Sequence, residues 1–401
     1  MQNIVIVGGG FAGVWAAMSA AAERNSQAVP PKDVAITLVS KDPALVIRPR
    51  LYQGAEEEMR VPLSPLMKKI DVVFMVAEVS DIDPSARLLT LSGKGDSQNL
   101  SWDSLILATG SQLRKLPIPG AQQYGFDNDS FDGAARLDQH LENLDQGNAN
   151  QASNEASSTF VVVGAGFTGI ETATELRGQL GDGARIVLLD QAADVGEGLG
   201  ASARPIINTT LASCSIDVKT GVAITSLDAQ GLTLQSGEVI KTSTVIFATG
   251  LEASPLTRCF DTPLDETGRL SVNEFLKLDH FPSVFVAGDV ARARTDDQHV
   301  SMMSCQHALK LGQHAGHNAV RDLTNKPMRK YQQERYVTCM DLGPAGAIFT
   351  TGWEREVSKT GEEAKTLKRN INEKLIYPPL PEAGKAAIYD FIAFDPPVQS
   401  T

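Results

Sequence analysis

The chain has 401 residues, of which 42% are hydrophobic and 21% charged, and its formal net charge is −12. This length predicts two to three domains rather than one core. The acidic balance excludes a nucleic-acid-binding protein, which needs a basic surface, and it argues against docking on anionic lipid.

The chain opens with a predicted strand, glycine turn and helix. "NIVIVGG", from Asn3, is an apolar, β-branched run typical of a strand that is buried on both faces. Gly8, Gly10 and Gly13 form G-x-G-x-x-G, and "VWAAMSAAAERN" follows as the helix. In this order the glycines permit a tight turn, approach of a pyrophosphate and close packing of helix on strand. The segment therefore predicts a dinucleotide site.

The strand after this helix, "DVAITLVS", ends without the acidic residue that usually holds a ribose. Ser40 stands at that position, and Lys41 follows it. We expect these residues, or a backbone group beside them, to make the ribose contact.

A second copy of the unit begins at Thr159. "TFVVVG" is the predicted strand, Gly164, Gly166 and Gly169 form the turn, and "IETATELRGQLG" is the helix. The next strand, "ARIVLLD", ends on Asp190. An acid there accepts hydrogen bonds from the two hydroxyls of an adenosine ribose and repels a 2′-phosphate, which favours NADH over NADPH.

Three further strands end in short motifs that indicate a flavin. "LILATGS" contains Thr109 and Gly110, "VIFATGL" contains Gly250, and "VFVAGDVAR" contains Gly288 and Asp289. A carboxylate at Asp289 is suited to hydrogen-bond the ribitol of a flavin. Two dinucleotide sites then correspond to two ligands, with FAD resident and NADH visiting.

These five motifs, in this order, resemble the FAD-dependent pyridine nucleotide oxidoreductases, the flavoproteins with two dinucleotide folds. Within that family "RPRLYQGA", which begins at Arg48, is similar to type II NADH:quinone oxidoreductases and to apoptosis-inducing-factor-like, ferroptosis-suppressor-like enzymes. The resemblance implies an α/β fold with two Rossmann-like domains and a small C-terminal α+β region. It also implies that the Pro-x-Leu-Tyr stretch lies against the flavin and that Arg48 belongs to the cofactor site.

The same resemblance predicts the layout of the chain. The first part of the FAD domain spans residues 1–118, the NADH domain 119–245, and the second part of the FAD domain 246–325. Residues 326–401 form the C-terminal region, which in similar proteins supplies a dimer surface or a membrane contact. The polar stretch at 145–159 is predicted to be a loop, "GKAAIYDFIAF" an amphipathic helix, and "YVTCMDLGPAGAIFTTGW" two short strands joined at Gly-Pro.

Three residues are candidates for catalysis. Glu171 follows the second glycine turn, and in similar enzymes the matching Glu points toward the nicotinamide and the flavin edge. "SMMSCQHALKLGQHAGHNAV" reads as a helix whose N-terminus faces the flavin. Quinone reductases of the family carry Ala-Gln-x-Ala-x-Gln there; this chain keeps Gln306 and replaces the second Gln with Lys310. We expect Gln306 and Lys310 to contact the electron acceptor.

The cysteines exclude part of the family. Cys214, Cys259, Cys305 and Cys339 form no close pair, so neither disulfides nor a metal site is expected. Disulfide reductases of the family need a thiol pair beside the flavin, and no cysteine precedes Cys214.

The sequence leaves the electron acceptor open. A quinone is the first candidate. The alternatives are a specialised enzyme of secondary metabolism, a ferredoxin reductase, and an NADH-responsive redox sensor. With no leader before the first strand and no apolar run of membrane-spanning length, we expect a cytoplasmic protein, peripheral to a membrane at most.

Overall fold

The computed structural model describes residues 1–92, 98–150 and 155–394. The first sheet consists of five parallel strands. In spatial order they are Val284–Val286, Ser104–Leu107, Gln2–Val7, Val34–Ser40 and Val73–Val76. Ile4, Val5 and Ile6 of the central strand are fully buried, as expected of a parallel sheet covered on both faces.

The second sheet repeats this arrangement with five other parallel strands. In spatial order they are Gly125–Asp127, Thr244–Phe247, Thr159–Val163, Arg185–Leu189 and Ile216–Lys219. Each predicted glycine turn follows the central strand of its sheet. Since the carboxyl ends of parallel strands share one edge, both turns lie where open α/β sheets bind ligands.

Smaller sheets and the helices complete the fold. The α-helices among the described residues are α1 (Phe11–Ser26), α2 (Leu63–Lys69), α3 (Ala121–Tyr124), α4 (Phe131–Asn150), α5 (Phe167–Leu180), α6 (Arg204–Ser213), α7 (Cys305–Leu323), α8 (Gly361–Asn370) and α9 (Gly384–Ile392). The three-stranded antiparallel sheets are Glu78–Asp83, Leu88–Ser92 and Gln98–Ser101; Ile224–Asp228, Gly231–Leu234 and Val239–Lys241; and Val337–Asp341, Ala347–Thr351 and Glu356–Thr360. Two-stranded pairs are Ser111–Leu113 with Leu251–Ala253, Ala44–Val46 with Arg60–Pro62, and Leu270–Ser271 with Ala291–Arg292.

Helices α1 and α7 pack closely against each other on the first sheet. A Cβ added to Gly312 would lie 2.2 Å from the Ala12 carbonyl oxygen, and one added to Gly316 would lie 2.1 Å from that of Ala16. Only glycine permits this approach. Because both contacts run in the same chain direction, the two helices are parallel and their N-termini lie at the same edge of the sheet.

The mixed α/β architecture confirms the predicted fold class. The predicted C-terminal strand pair is also confirmed, because Val337–Asp341 pairs antiparallel with Ala347–Thr351 across the Gly343–Ala345 turn. The predicted loop at 145–159 is wrong for its first part, since α4 continues to Asn150. The apolar spacing of Leu137, Leu141 and Leu144 holds α4 on the core of the second sheet. Residues 151–154 of that loop lie outside the described residues.

The predicted helix of the "SMMSCQHALK" stretch begins later than its first residue. Ser304 has extended backbone and caps α7 by accepting a hydrogen bond from the backbone N–H of His307 at 3.4 Å. Within the three described ranges, no helix is long and apolar enough to cross a bilayer.

Candidate functional site

The first glycine turn has the geometry of a phosphate cradle. Gly8 has φ +116°, and a Cβ there would lie 2.2 Å from the Ala108 carbonyl oxygen. A Cβ on Gly13 would lie 1.7 Å from the Gly8 carbonyl oxygen. Gly10 differs: no atom of the described residues lies within 4 Å of its added Cβ, and Gly10 caps the N-terminus of α1. The turn therefore leaves open space where the helix dipole favours an anion.

The second glycine turn has the same geometry. Gly164 has φ +109°, and a Cβ on Gly169 would lie 1.7 Å from the Gly164 carbonyl oxygen. Gly166 caps α5, and its added Cβ would meet no described atom within 4 Å. Two glycine turns with the same geometry therefore follow the central strands of two separate sheets.

Asp190 lies beside the second turn. Its Oδ2 accepts a hydrogen bond from the backbone N–H of Ala165 at 2.5 Å, and its Oδ1 accepts one from Ala192 at 2.8 Å. These contacts fix the carboxylate at the turn and still leave lone pairs on both oxygens. The carboxylate can therefore accept hydrogen bonds from a ribose placed at the same edge.

At the end of the matching strand in the first sheet, Ser40 and Lys41 are placed differently from each other. Ser40 is buried, and its Oγ would lie 2.4 Å from a Cβ on Gly9, so it packs directly against the first turn. Its Oγ accepts a hydrogen bond from the backbone N–H of Asp42 at 3.3 Å. Lys41 is exposed. Of the two, Ser40 is the one in contact with the glycine turn.

The motifs predicted for the flavin come together near the first turn. Asp289 accepts a hydrogen bond on Oδ2 from Ser111 Oγ at 2.6 Å. Arg48 donates to the carbonyl oxygen of Ser111 at 3.1 Å and pairs with Asp129 at 2.5 Å. Gly288 has φ +76°, and a Cβ there would lie 2.8 Å from Cβ of Ala12, so this position requires glycine.

The two Ala-Thr-Gly motifs present a buried hydroxyl and open space beside the glycines. Thr109 Oγ1 is buried and has no hydrogen-bond partner among the described residues. Gly110 and Gly250 have φ values of +67° and +85°, and a Cβ on either would meet no described atom within 4 Å. A buried orphan hydroxyl is costly unless something pairs with it. The two open cradles and this hydroxyl fit two dinucleotides.

Glu171 forms a buried ion pair that the sequence did not predict. Lys368 of α8 places its Nζ 2.8 Å from Oε1 of Glu171, and the two side chains are only 7% and 5% exposed. Burial alone would lower the pKa of the Lys368 ammonium, but the carboxylates of Glu171 and Asp341 raise it above its usual value. Lys368 also donates to the carbonyl oxygen of Cys339 at 3.0 Å. The pair fixes α5 to the C-terminal region.

A second buried acid, Asp341, extends this contact to the first sheet's domain. Its Oδ2 accepts a hydrogen bond from the Tyr52 hydroxyl at 2.9 Å, and its Oδ1 pairs with Lys365 at 2.5 Å. The backbone N–H of Asp341 donates to Oε1 of Glu171 at 2.9 Å. Lys368 Nζ lies 5.5 Å from the centre of the Tyr52 ring. We call Tyr52, Glu171, Asp341, Lys365 and Lys368 the junction cluster.

The two predicted acceptor residues on α7 have different surroundings. Gln306 binds the strand of the C-terminal region, donating to the Val337 carbonyl oxygen at 3.2 Å and accepting from its N–H at 3.4 Å. Lys310 is exposed and donates to Gln313 at 3.3 Å. Gln306 therefore holds the C-terminal strand. Lys310 instead lines a surface cleft together with His314 and Arg329.

The junction cluster contains three residues that the sequence analysis missed. Lys365 and Lys368 are three residues apart on α8, and Ala364, which lies directly before Lys365 and about one turn before Lys368, is buried. This spacing predicts that both ammonium groups point inward with the apolar face. The signal was present in "EEAKTLKRN", but nothing local identifies the acids that meet these lysines.

In the part of the chain that is described, no group of three or more His, Cys, Asp or Glu side chains is arranged to hold a metal ion. The four cysteines are free thiols. Burial raises the pKa of the Cys305 thiol, which keeps it protonated at neutral pH.

Comparison with known proteins finds one family model and several relatives that this chain is similar to. The family model described as pyridine nucleotide-disulphide oxidoreductase matches residues 2–312. An NADH dehydrogenase-like protein of Mycobacterium tuberculosis is 43% identical over 388 residues, which cover 95% of each chain. A demethylphylloquinone reductase of Synechocystis is 28% identical over 358 residues, covering 87% of this chain and 86% of that protein. The solved structure of NDH2 from Plasmodium falciparum has the same fold, with a TM-score of 0.79 at 15% identity, covering 98% of this chain and 97% of that one.

Proposed function

The chain belongs to the pyridine nucleotide-disulphide oxidoreductase family, and we propose that within it the protein is an NADH:quinone oxidoreductase. It is an NAD(P)H-dependent flavoprotein oxidoreductase with FAD and NADH as its cofactors.

We assign FAD to the first sheet and NADH to the second. Residues 1–118 and 246–325 form the FAD domain in this proposal, and residues 119–245 the NADH domain. The orphan hydroxyl of Thr109, the open space at Gly10 and the Ser111–Asp289 hydrogen bond support the first assignment. The open space at Gly166 and the fixed carboxylate of Asp190 support the second. Asp190 then favours NADH, because a 2′-phosphate would bring negative charge against it.

The observation that carries the choice of acceptor is the distribution of cysteines. No cysteine precedes Cys214, so the first part of the FAD domain contains no thiol pair to receive electrons. Cys305 and Cys339, in the α7 and C-terminal regions, have pKa values raised by burial and are not reactive thiolates. Electrons must therefore leave for an external acceptor, and the relative from Synechocystis is named for a quinone.

The chain's own residues supply positioning and charge. FAD, when bound, supplies a ring that takes a hydride from NADH and gives two electrons to the acceptor. NADH, one proton and a quinone yield NAD⁺ and a quinol. The hydride of NADH therefore supplies one hydrogen of the quinol, and a separate proton supplies the other. The junction cluster holds protons at Lys368 Nζ and at the Tyr52 hydroxyl. Lys310 presents a further ammonium group that can hydrogen-bond a quinone oxygen as charge develops on it.

The C-terminal region is proposed to contact a second surface. Leu375, Leu380 and Phe391 are 60%, 67% and 47% exposed. Single exposed apolar residues need no explanation, but three in one region favour a contact. A homodimer or the surface of a membrane would cover them, and we place the protein in the cytoplasm or peripheral to a membrane. Sedimentation velocity tests whether the protein is a homodimer, and fractionation of cells tests whether it is bound to a membrane.

A panel of acceptors tests the proposed function. The purified protein is supplied with NADH and, in separate assays, with a short-chain quinone, ferredoxin or O₂. We expect fast turnover with the quinone and slow turnover with the other two. Fast turnover with ferredoxin alone would reassign the protein as a ferredoxin reductase. Slow turnover with every acceptor, with tight retention of NAD⁺, would favour a redox sensor.

A further inference from the structure

Arg48 and Asp129 form an ion pair between parts of the chain that belong to different sheets. Arg48 begins the short 3₁₀ helix Arg48–Gln53, which lies in the chain between two strands of the first sheet. Asp129 lies between the second-sheet strand Gly125–Asp127 and α4. The two groups meet at 2.5 Å, and their side chains are 31% and 20% exposed. Solvent therefore screens this pair less than an ion pair on the open surface.

Hydrogen bonds connect the pair to the motifs proposed to hold the flavin. Nη1 of Arg48 donates to the carbonyl oxygen of Ser111 at 3.1 Å and to its hydroxyl at 3.3 Å. That hydroxyl donates to Oδ2 of Asp289 at 2.6 Å. Ser111 directly follows Gly110, where an added Cβ would meet no described atom within 4 Å. Ser111 thus links the guanidinium to the Asp289 carboxylate, beside the open space proposed for the flavin.

The Arg48 guanidinium is charged and keeps a donor for a ligand. Nε of Arg48 donates to the carbonyl oxygen of Asp129 at 3.1 Å. Among the described residues, the bonds to Ser111 and Asp129 use at most four of the five N–H groups of the guanidinium. Burial would lower the pKa of Arg48, but the carboxylates of Asp129 and Asp289 raise it above its usual value. The positive charge is therefore permanent.

A fixed charge at this place bears on the chemistry of the bound cofactor. A flavin that accepts a hydride gains one negative charge, so a nearby cation favours the reduced form and a nearby anion disfavours it. We infer that Asp129, through its ion pair with Arg48, sets the reduction potential of the flavin. Asp129 acts as a positioning residue, because it holds the guanidinium at Ser111 and offsets its charge. The inference rests on the proposed function, since it takes FAD to occupy the first sheet.

Variants that remove opposite charges should shift the potential in opposite directions. Removing a unit charge at about 10 Å, in an effective dielectric of about 20, changes the equilibrium between oxidised and reduced flavin by roughly tenfold. For a two-electron couple this is about 30 mV. Asp129→Asn should therefore raise the potential by about 30 mV, and Arg48→Gln should lower it by a similar amount. The double variant Arg48→Gln/Asp129→Asn should return close to the unmodified value.

Two further variants serve as controls. Asp129→Glu keeps the negative charge and should keep the potential. Asp217→Asn removes the carboxylate of an exposed ion pair with Arg185, on the edge strand of the second sheet, and should leave the potential unchanged. The flavin-containing proteins are reduced stepwise without oxygen, in the presence of a dye of known potential. Because neither NADH nor a quinone is present, a misplaced substrate cannot produce the shift.

The outcomes separate this inference from the proposed function. Equal potentials in the flavin-containing variants, or shifts of the same sign in Asp129→Asn and Arg48→Gln, would overturn the inference and leave the proposed function intact. Asp129→Asn keeps the shape of its side chain, so its comparison with Asp129→Glu decides the test even where Arg48→Gln loses its flavin. An unmodified protein that neither contains nor takes up FAD would instead overturn the proposed function.

Discussion

Glu171 and Lys368 are 197 positions apart in the chain, and their side chains meet at 2.8 Å in an almost fully buried ion pair. The pair connects the helix behind the second glycine turn with the C-terminal region. Tyr52 and Asp341 extend the connection to the segment beside the first sheet. The three parts of the chain that flank the proposed reaction site are therefore joined by charged groups rather than by apolar packing alone.

Breaking this pair should destabilise the protein strongly. Lys368→Met leaves the Glu171 carboxylate buried and unpaired, which costs about 3–5 kcal/mol. The double variant Glu171→Gln/Lys368→Met removes both charges and should recover most of that loss. Lys359→Gln removes one member of the exposed pair with Glu363 and serves as the control, with an effect within about 1 kcal/mol. Denaturant unfolding followed by circular dichroism measures all three. Equal losses in the single and double variants would show that an unpaired Glu171 carboxylate is not the cause of the lost stability.

Substitutions in the two glycine turns should each weaken the binding of a different dinucleotide. A Cβ on Gly10 or on Gly166 meets no described atom, so Gly10→Ala and Gly166→Ala should both fold. The methyl group would instead occupy space that a pyrophosphate needs. Gly10→Ala should weaken FAD retention by roughly tenfold, or about 1.4 kcal/mol. Gly166→Ala should keep its flavin and raise the KM for NADH by a similar factor.

Each of these variants is the control for the other. Flavin content after gel filtration and the KM for NADH are measured on both. Loss of flavin from Gly166→Ala with normal retention in Gly10→Ala would reverse the assignment of the two sheets.

Coenzyme choice should depend on Asp190. We expect NADH to be the better donor by about tenfold or more, since a charge-assisted hydrogen bond contributes roughly 1.5–3 kcal/mol. Asp190→Asn removes the charge and keeps a side-chain acceptor for one of the two backbone N–H groups that Asp190 binds, those of Ala165 and Ala192. It should therefore narrow the preference for NADH, with the loss of one hydrogen bond at the turn. Steady-state kcat/KM with NADH and NADPH gives the ratio, and equal values in the unmodified protein would show that the carboxylate does not meet the ribose.

The α1–α7 contact should make stability depend on pH. Burial disfavours the Glu23 carboxylate, but hydrogen bonds from His317, Gln27 and Arg321 lower its pKa from 4.5 to about 2. A lowered folded-state pKa contributes stability above the unfolded value, and this is lost as pH falls from about 5 toward 2. Glu23→Gln should cost roughly 2 kcal/mol at pH 7, and its deficit should shrink by pH 3. Denaturant titrations at several pH values measure it; a constant deficit would contradict the assignment.

The sequence predicted the parts of the site that depend on local geometry. The close approaches of Gly13 to Gly8 and of Gly169 to Gly164 each lie within five residues of chain, so the glycine spacing alone specifies them. Gly288 and Asp289 were recognisable from their motif, although the residues that they contact, Ala12 and Ser111, lie far away in the chain.

Residues that act across the fold were not predictable in this way. Lys368 carries no signal of its partner, because Glu171 lies on a different helix and the pairing depends on how the C-terminal region packs. Gln306 was assigned to the acceptor from the motif, yet its side chain holds the backbone of Val337. A one-dimensional pattern identifies a residue type at a turn, but it does not identify the atoms that reach it from a distant strand.

The most direct test of the account is a single turnover in two steps. The protein is mixed with NADH without oxygen, and the oxidised flavin band is followed until it bleaches; a quinone is then added in a second mixing step. We expect fast bleaching by NADH and full return of the band as the quinone is reduced, with one quinol formed per flavin. Bleaching without return on addition of any quinone, or a preparation that neither contains nor takes up FAD, would contradict it.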